Sequence, residues 1–242
     1  MTQTSDRAWT LTRLGAGVAA LLVVAGVWFA VTSPPDVVQG DYVRILYVHA
    51  PSAWLAFVAF GVTALGSLGW ITTRRPWADR MAESSAEIGV VFTAIALTTG
   101  ALWGRPIWGT YWDWGDARMA STALMFFVYL GYLALRRSIP DPVQRARRSA
   151  VLGLVAVVQV PIVYFSVLYF RTLHQGQTIR PDGIQMDGSM VVALLVNLLA
   201  FTLLYVVLLA VRMRWARLEA SAASTVDDVA GSAVSAPRME LS

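Results

Sequence analysis

Two histidines, His49 and His174, are the only imidazole side chains in this chain of 242 residues. His49 precedes one long apolar segment, and His174 follows another. Neutral imidazole is a strong metal ligand, and two imidazoles can fill both axial positions of a haem iron. Either histidine alone could instead be an interfacial side chain bonded to a headgroup, water or a backbone carbonyl. The absence of cysteine excludes disulfides, thiolate metal sites and thiol–disulfide exchange.

An aromatic segment lies between the two histidines and reads WGRPIWGTYWDWGDAR over residues 103–118. Its glycines would let a flat ligand approach the backbone closely. Flat apolar faces beside carboxylates and guanidinium groups suit a ligand that is flat, apolar and anionic at one edge, as haem is. The alternative is a belt of tryptophans at a membrane interface. The candidate haem contacts in this segment are Trp103, Trp108, Tyr111, Trp112, Trp114 and Asp116.

Arginines near these residues are candidates for holding the haem propionates. The planar guanidinium group binds carboxylates through two parallel hydrogen bonds. Arg44 lies five residues before His49, and Arg118 closes the aromatic segment, so we expect these two to bind propionates. For the remaining arginines of the same segments, Arg105, Arg171 and Arg180, pairing with a neighbouring aspartate is the preferred interpretation.

The elements that must position these residues are membrane-spanning. Hydrophobic residues make up 57% of the chain, charged residues only 14%, and the mean hydropathy is +0.57, which is typical of a polytopic membrane protein. Most of the apolar runs approach the ~20 residues that a helix needs to cross a bilayer. The sequence therefore predicts an all-α protein with six transmembrane helices, and Pro161 is expected to kink the fifth. The predicted helices cover residues 14–32, 52–73, 86–103, 119–135, 150–170 and 190–211.

The distribution of arginine predicts the orientation of these helices, because positive residues favour the cytoplasmic side. Five arginines fall in one set of connecting segments and the other fourteen in the opposite set, which places both termini in the cytoplasm. Both histidines and the aromatic segment then lie at the outer face. We expect residues 1–218 to form the membrane domain and residues 219–242 a disordered cytoplasmic tail. The basic loop over residues 136–148 is expected to contact lipid headgroups. Because the basic residues flank the membrane, the net charge of +4 does not indicate a nucleic-acid partner.

Three blocks of the chain resemble the CcmC group of haem-handling proteins of cytochrome c maturation. Residues 39–54, around His49, are similar to the first histidine block of that family. Residues 102–118 are similar to the tryptophan-rich signature of the wider superfamily. Residues 160–162, 165–167 and 172–176, the last of which include His174, are similar to the second histidine block. The signature differs here in two ways, because Gly115 separates Trp114 from Asp116 and Tyr111 stands where tryptophan is common.

The resemblance implies a bacterial plasma-membrane protein that binds haem b at its outer face. His49 and His174 would be the axial iron ligands, and the aromatic segment would contact the porphyrin. Haem would then pass to a membrane-anchored periplasmic haem chaperone. The other implied partners are the ATPase and membrane subunits of an ABC transporter and a small single-span accessory subunit.

Two other functions fit some of these features. An electron-transfer cytochrome b-type subunit would also bind haem, but it usually carries its histidines within helices. A permease for another solute would use the tryptophans only as an interface belt. The sequence contains no self-contained catalytic constellation, which leaves open whether the chain forms the covalent haem bond or only positions the haem.

Overall fold

The computed structural model describes residues 3–174, 179–180, 183–184 and 186–235, and most of these residues are helical. A short 3-10 turn, Asp41–Ile45, leads into the second helix. Two short strands, β1 (Ile179–Arg180) and β2 (Gly183–Ile184), form an antiparallel pair. The helices are α1 (Gln3–Thr32), α2 (Leu46–Thr73), α3 (Pro76–Trp108), α4 (Ala117–Ser138), α5 (Pro142–Ala156), α6 (Gln159–Tyr169) and α7 (Gly188–Ser235).

Six helical segments of the described chain are long and apolar enough to cross a membrane. Helices are favoured there because hydrocarbon cannot satisfy open backbone groups, whereas a helix satisfies its own. The predicted all-α, multi-pass membrane architecture is therefore confirmed. The six segments are Arg7–Thr32, Asp41–Thr73, Pro76–Trp108, Ala117–Ser138, Pro142–Tyr169 and Gly188–Ala222.

Two helices are longer than predicted at the end that carries the candidate site. α2 begins at Leu46 and continues through Pro51, so His49 lies within the start of α2 and not ahead of it. A proline near a helix start removes one hydrogen bond without ending the helix. α3 continues beyond residue 103 and ends where Gly109 adopts a left-handed conformation with φ 78°, a common helix terminus.

The fifth predicted helix is broken into α5 and α6 around residues 157–158. Pro161 explains the position of the break. Proline has no N–H to donate to the carbonyl four residues earlier, at Val157, and its ring crowds that carbonyl. The regular helical hydrogen bonding is interrupted at Val157 and Val158, but their backbone dihedral angles stay in the right-handed helical region. α5 and the 11-residue α6 therefore still form one membrane-spanning segment.

The last helix also differs from the sequence prediction, because α7 continues to Ser235. Residues 219–235 are helical, where we expected a disordered tail, and residues 236–242 lie outside the described chain. Alanine is frequent in residues 219–235, and alanine is the strongest helix former. Extending an existing helix also avoids the unfavourable step of nucleating a new one.

The helices pack through small residues and a few large aromatic ones. A Cβ at Gly66 of α2 would lie 2.8 Å from the carbonyl oxygen of Ala78, so glycine allows α2 and α3 to approach closely. The fully buried Phe60 ring stacks on Tyr129 of α4 with 3.5 Å between the ring centroids. Asn197 of α7 donates a hydrogen bond of 3.0 Å to the carbonyl of Gly26 in α1, the bridging role expected of a polar residue in a membrane helix.

A buried ion cluster joins α3 to α4 at the end of the bundle remote from His49. The Arg136 side chain donates to Asp79 at 2.7 and 2.9 Å and to Glu83 at 3.0 Å. Arg136 is only 3% exposed. Charges buried this deeply are stable only when they are paired, because leaving one unpaired carries a large desolvation penalty.

Replacing Arg136 with methionine should therefore lower the free energy of unfolding by up to roughly 3–5 kcal/mol, because the partly buried Asp79 and Glu83 would be left without their cation. The measurement is denaturant unfolding in detergent micelles. Arg147→Met, which removes an exposed arginine from α5, serves as the control and should change stability by less than about 0.5 kcal/mol. Equal losses in the two variants would contradict the role given to the cluster.

Candidate functional site

His49 presents one ring nitrogen that is free to bind a ligand. Its Nδ1 lies 3.0 Å from the carbonyl oxygen of Ala96 and 3.2 Å from Oγ1 of Thr99, both on α3. A carbonyl can only accept a hydrogen bond, so Nδ1 carries the proton. The unprotonated Nε2 is then available as a metal ligand, with its ring oriented by the bond to α3.

The backbone of α3 lies directly against the His49 ring. A Cβ added at Gly100 would come within 2.9 Å of His49 Cε1, so a larger residue would displace the imidazole. Trp103, one turn further along α3, meets the same ring edge-on with 5.8 Å between centroids. Its indole Nε1 donates to Oε1 of Gln39 at 3.0 Å, which fixes the orientation of the indole. His49 is therefore held from two directions.

His174 lies beyond the end of α6, outside the membrane-spanning helices. Its ring is 5.0 Å from that of Trp108, and its Nδ1 is 3.7 Å from Oδ1 of Asp116, too far for a hydrogen bond. Burial lowers the pKa of His174 to about 4; the Asp116 carboxylate opposes this shift, while Arg118 and His49 add to it. His174 is therefore neutral near pH 7, which is the form that binds metals.

Asp116 connects the aromatic segment to the segment that carries His174. The carboxylate is 2% exposed and accepts a hydrogen bond of 2.9 Å from the N–H of Met119, which caps the start of α4. It also accepts bonds of 2.6 Å from the Thr172 hydroxyl and from the N–H of Leu173. Burial disfavours the ionised form, but these three bonds outweigh it, and the pKa of Asp116 is lowered.

Two cavities meet at the histidines. One has a volume of about 660 Å³ and lies between α2, α3, α4 and α6, and the other has about 1120 Å³ and lies toward the ends of α2 and α3. The residues that line both cavities are His49, Ala53, Phe57, Gly100, Arg118 and His174.

Four of the five predicted aromatic contacts line these cavities. Trp103 and Trp108 border the larger cavity, and Tyr111 and Trp112 border the smaller one. The buried Trp112 Nε1 makes no hydrogen bond with the described residues. Trp114 is 71% exposed and borders neither cavity, although its ring packs 5.2 Å from that of Trp112. Trp114 therefore supports Trp112 from outside the site.

The two arginines expected to bind propionates occupy different environments. Arg118 borders both cavities, and its NH2 group donates to the carbonyl of Tyr164 at 2.8 Å. Its buried Nε makes no hydrogen bond with the described part of the chain, so it is a donor available to a ligand.

The structure does not bring Arg44 to the site, contrary to expectation. Its guanidinium group binds Asp41 at 2.9 Å and the carbonyls of Ala30 and Val31, and it borders neither cavity. The 3-10 turn places Asp41 three residues before Arg44, and the last carbonyls of α1 have no partner within their own helix. Arg44 therefore caps α1.

Asp116 likewise borders neither cavity. Its bonds to Met119, Thr172 and Leu173 give it a positioning role.

Sequence reasoning missed residues that act through shape or through backbone groups. Neither Gly100 nor Ala96 has a functional side chain that would mark it in the sequence. Gly100 contributes the absence of a Cβ, and Ala96 contributes its backbone carbonyl. Gln39 and Thr172 lie in the two histidine blocks, so their position next to the ligand candidates was the available signal.

Comparison with known proteins places the chain in a family. The family described as heme exporter protein C, or CcmC, matches residues 2–227. The chain belongs to the CcmC family. The match covers all six membrane-spanning helices and both histidines, so the predicted resemblance is confirmed.

Curated members of the CcmC family align with about three fifths of the chain. Heme exporter protein C of Bradyrhizobium diazoefficiens is 45% identical over 151 residues, which is 62% of this chain and 57% of the relative. The protein of the same name from Paracoccus denitrificans is 41% identical over 143 residues, or 59% of this chain and 58% of the relative. Heme exporter protein C of Escherichia coli is 35% identical over 158 residues, which is 65% of this chain and 64% of the relative. The matched segments thus span less than two thirds of each relative.

Replacing Asp116 with alanine should release the segment that carries His174, because Thr172 and Leu173 lose their common acceptor. Hydrogen–deuterium exchange read by mass spectrometry should show faster exchange at residues 172–174. The control is Asp113→Ala, since Asp113 is an exposed aspartate of the same loop that bonds only to the local N–H of Gly115, at 2.8 Å. Unchanged exchange at residues 172–174 in Asp116→Ala would contradict the connection.

Proposed function

We propose that this chain binds haem b between His49 and His174 and delivers it during cytochrome c maturation. The observation that carries the proposal is the meeting of the two histidines. They come from α2 and from the segment after α6, yet they border the same two aromatic cavities. Several of the curated relatives are named heme exporter proteins, which supports the same ligand.

The donor set fits a haem. Haem iron supplies two axial coordination positions, and two neutral imidazoles are sufficient to fill them. His49 Nε2 is unprotonated because Nδ1 donates to the Ala96 carbonyl. The Nδ1 side of His174 faces the Asp116 carboxylate, which leaves Nε2 on the opposite side of the ring. At 3.7 Å the Asp116 carboxylate does not accept a hydrogen bond from Nδ1, but its negative charge favours the tautomer with the proton on Nδ1 and a free Nε2.

The walls of the site fit the porphyrin and its charged edge. Trp103, Trp108 and Trp112 provide aromatic surface, and Gly100 keeps the α3 backbone close to His49. Arg118 is the cation that can receive a propionate, through the buried Nε that has no protein acceptor. These residues hold and orient the ligand, and none of them is arranged as a nucleophile with a base.

We further propose that the site faces the outer side of the bacterial plasma membrane, where haem passes to a membrane-anchored haem chaperone. The excess of arginine in the opposite connecting segments supports this orientation. The working complex would include an ABC transporter with its ATPase and membrane subunits and a small single-span subunit, as the family resemblance implies.

One observation favours the second candidate, an electron-transfer cytochrome b-type subunit, because His49 lies within a membrane helix. His174, however, lies outside any helix, so only one of the two candidate ligands comes from a helix. The two functions differ in whether haem leaves the protein. Addition of the purified apo-chaperone to the haem-loaded chain should remove haem if the chain delivers it, whereas an electron-transfer subunit would retain it.

Replacing either histidine with alanine should abolish the low-spin haem spectrum. Purified wild type, His49→Ala and His174→Ala are compared by optical spectroscopy after loading with haem, because loss of one axial ligand converts a six-coordinate iron into a five-coordinate or water-ligated one. Circular dichroism of each variant verifies folding. A spectrum that is identical in all three proteins would exclude axial ligation by these histidines.

Arg118→Gln should weaken haem binding by about tenfold, the effect of losing one charge-assisted hydrogen bond. Arg44→Gln is the matched control and should leave the affinity unchanged, since Arg44 caps α1. Repeating the titration with haem dimethyl ester separates the charge interaction of Arg118 with the propionates from its packing against the ligand, because the ester has no carboxylate. If Arg118→Gln weakened the ester and the acid equally, Arg118 would not be a propionate partner.

A further inference from the structure

A third cavity, which is polar, lies at the end of the bundle opposite the histidines. His49 and Arg74 stand near opposite ends of α2, about 37 Å apart at 1.5 Å per residue. The cavity has a volume of about 1690 Å³ and is enclosed by the α2–α3 turn, the end of α4, the start of α5 and α7. Its charged lining residues are Arg74, Arg80, Arg136, Arg137, Arg145, Arg212, Asp79, Glu83 and Glu219.

The acidic residues of this cavity already have cationic partners. Asp79 and Glu83 bind Arg136, as described above. Glu219 lies 3.5 Å from Arg212, which also binds Glu87 at 2.6 Å. The other four arginines have no carboxylate within 4.0 Å among the residues that the structure describes, so the cavity carries an uncompensated positive charge. They are Arg74, Arg80, Arg137 and Arg145.

The position of Arg74 at the cavity wall is fixed by its backbone and by a neighbouring aromatic ring. Arg74 ends α2 in the left-handed conformation, with φ 56° and ψ 18°. Glycine usually occupies this position, because a Cβ makes the conformation unfavourable. The guanidinium group lies 4.4 Å above the Trp70 ring, which holds it at the cavity wall. A cationic side chain is therefore kept where glycine would be less strained.

Guanidinium groups bind phosphate oxygens through paired hydrogen bonds, and apolar residues of this cavity complete an amphipathic lining. Trp70, Ile139 and Val143 border the cavity beside the arginines. We propose that this cavity binds a phosphate ester anion at the membrane surface. Anionic phospholipid headgroups and soluble phosphates share this chemistry. The proposal is independent of haem binding, since it uses other residues at the other end of the bundle.

The test compares two double variants of equal charge. Arg137→Gln with Arg145→Gln removes two cavity arginines, whereas Arg147→Gln with Arg148→Gln removes two arginines of α5 that do not border the cavity. Each full-length protein, in zwitterionic detergent micelles, is titrated with short-chain phosphatidylglycerol while its thermal unfolding midpoint is followed. A parallel titration uses inorganic phosphate. Circular dichroism and the unfolding midpoint without lipid verify that the variants fold.

We expect phosphatidylglycerol to raise the wild-type midpoint, with an affinity about tenfold or more weaker in the cavity variant and unchanged in the α5 control. Inorganic phosphate could instead raise the midpoint as strongly as lipid does, with the effect lost in the cavity variant. That result would support the site and identify a soluble ligand. Equal weakening in both variants would show that lipid responds only to overall charge and would overturn the proposal. A midpoint that responds to neither titrant in the wild type would overturn it as well.

Discussion

The candidate site depends on one buried carboxylate. Asp116 accepts hydrogen bonds from the start of α4 and from two consecutive residues that precede His174. The two histidines are 125 positions apart in the sequence, and the segment that carries His174 belongs to no helix, so helix packing alone cannot place it. A buried anion with three short donors provides that placement, because any displacement would leave an ionised group without its bonds in a place with little water.

Polar groups in the interior, between the two ends of the bundle, are hydrogen-bonded differently from those at the site. Several of the interior hydroxyl groups bond to carbonyls of their own helices, as Thr63 does to Ala59, Ser67 to Thr63 and Thr93 to Gly89. Such local bonds satisfy polar atoms without water and leave helix surfaces free for close packing. Paired charges and the larger cavities are concentrated at the two ends, where α2 and α3 begin and end. The bundle thus separates the candidate haem site from the cationic cavity by an apolar layer.

Hydropathy and arginine content were sufficient to predict the class of fold, because the membrane restricts the chain to helices of a limited range of lengths. They predicted helix ends less well, since those ends depend on caps and on neighbouring segments. Pro51 looked like a boundary but lies inside α2, whereas Pro161 interrupts its helix. At the site, residue type identified the imidazoles and the aromatic segment. Residue type could not distinguish the role of Arg118 from that of Arg44. Their roles depend on whether the guanidinium group already bonds to a nearby carboxylate or to the carbonyls at a helix end.

The interruption between α5 and α6 has a mechanical consequence. α6 is connected to α5 through Val157 and Val158, and it leads to the His174 segment at its other end. Its attachment to α4 includes the bond from Arg118 to the Tyr164 carbonyl. Because Pro161 removes a backbone hydrogen bond across this junction, the direction in which α6 leaves α5 depends in part on contacts with α4. The position of the His174 segment therefore depends on those contacts as well.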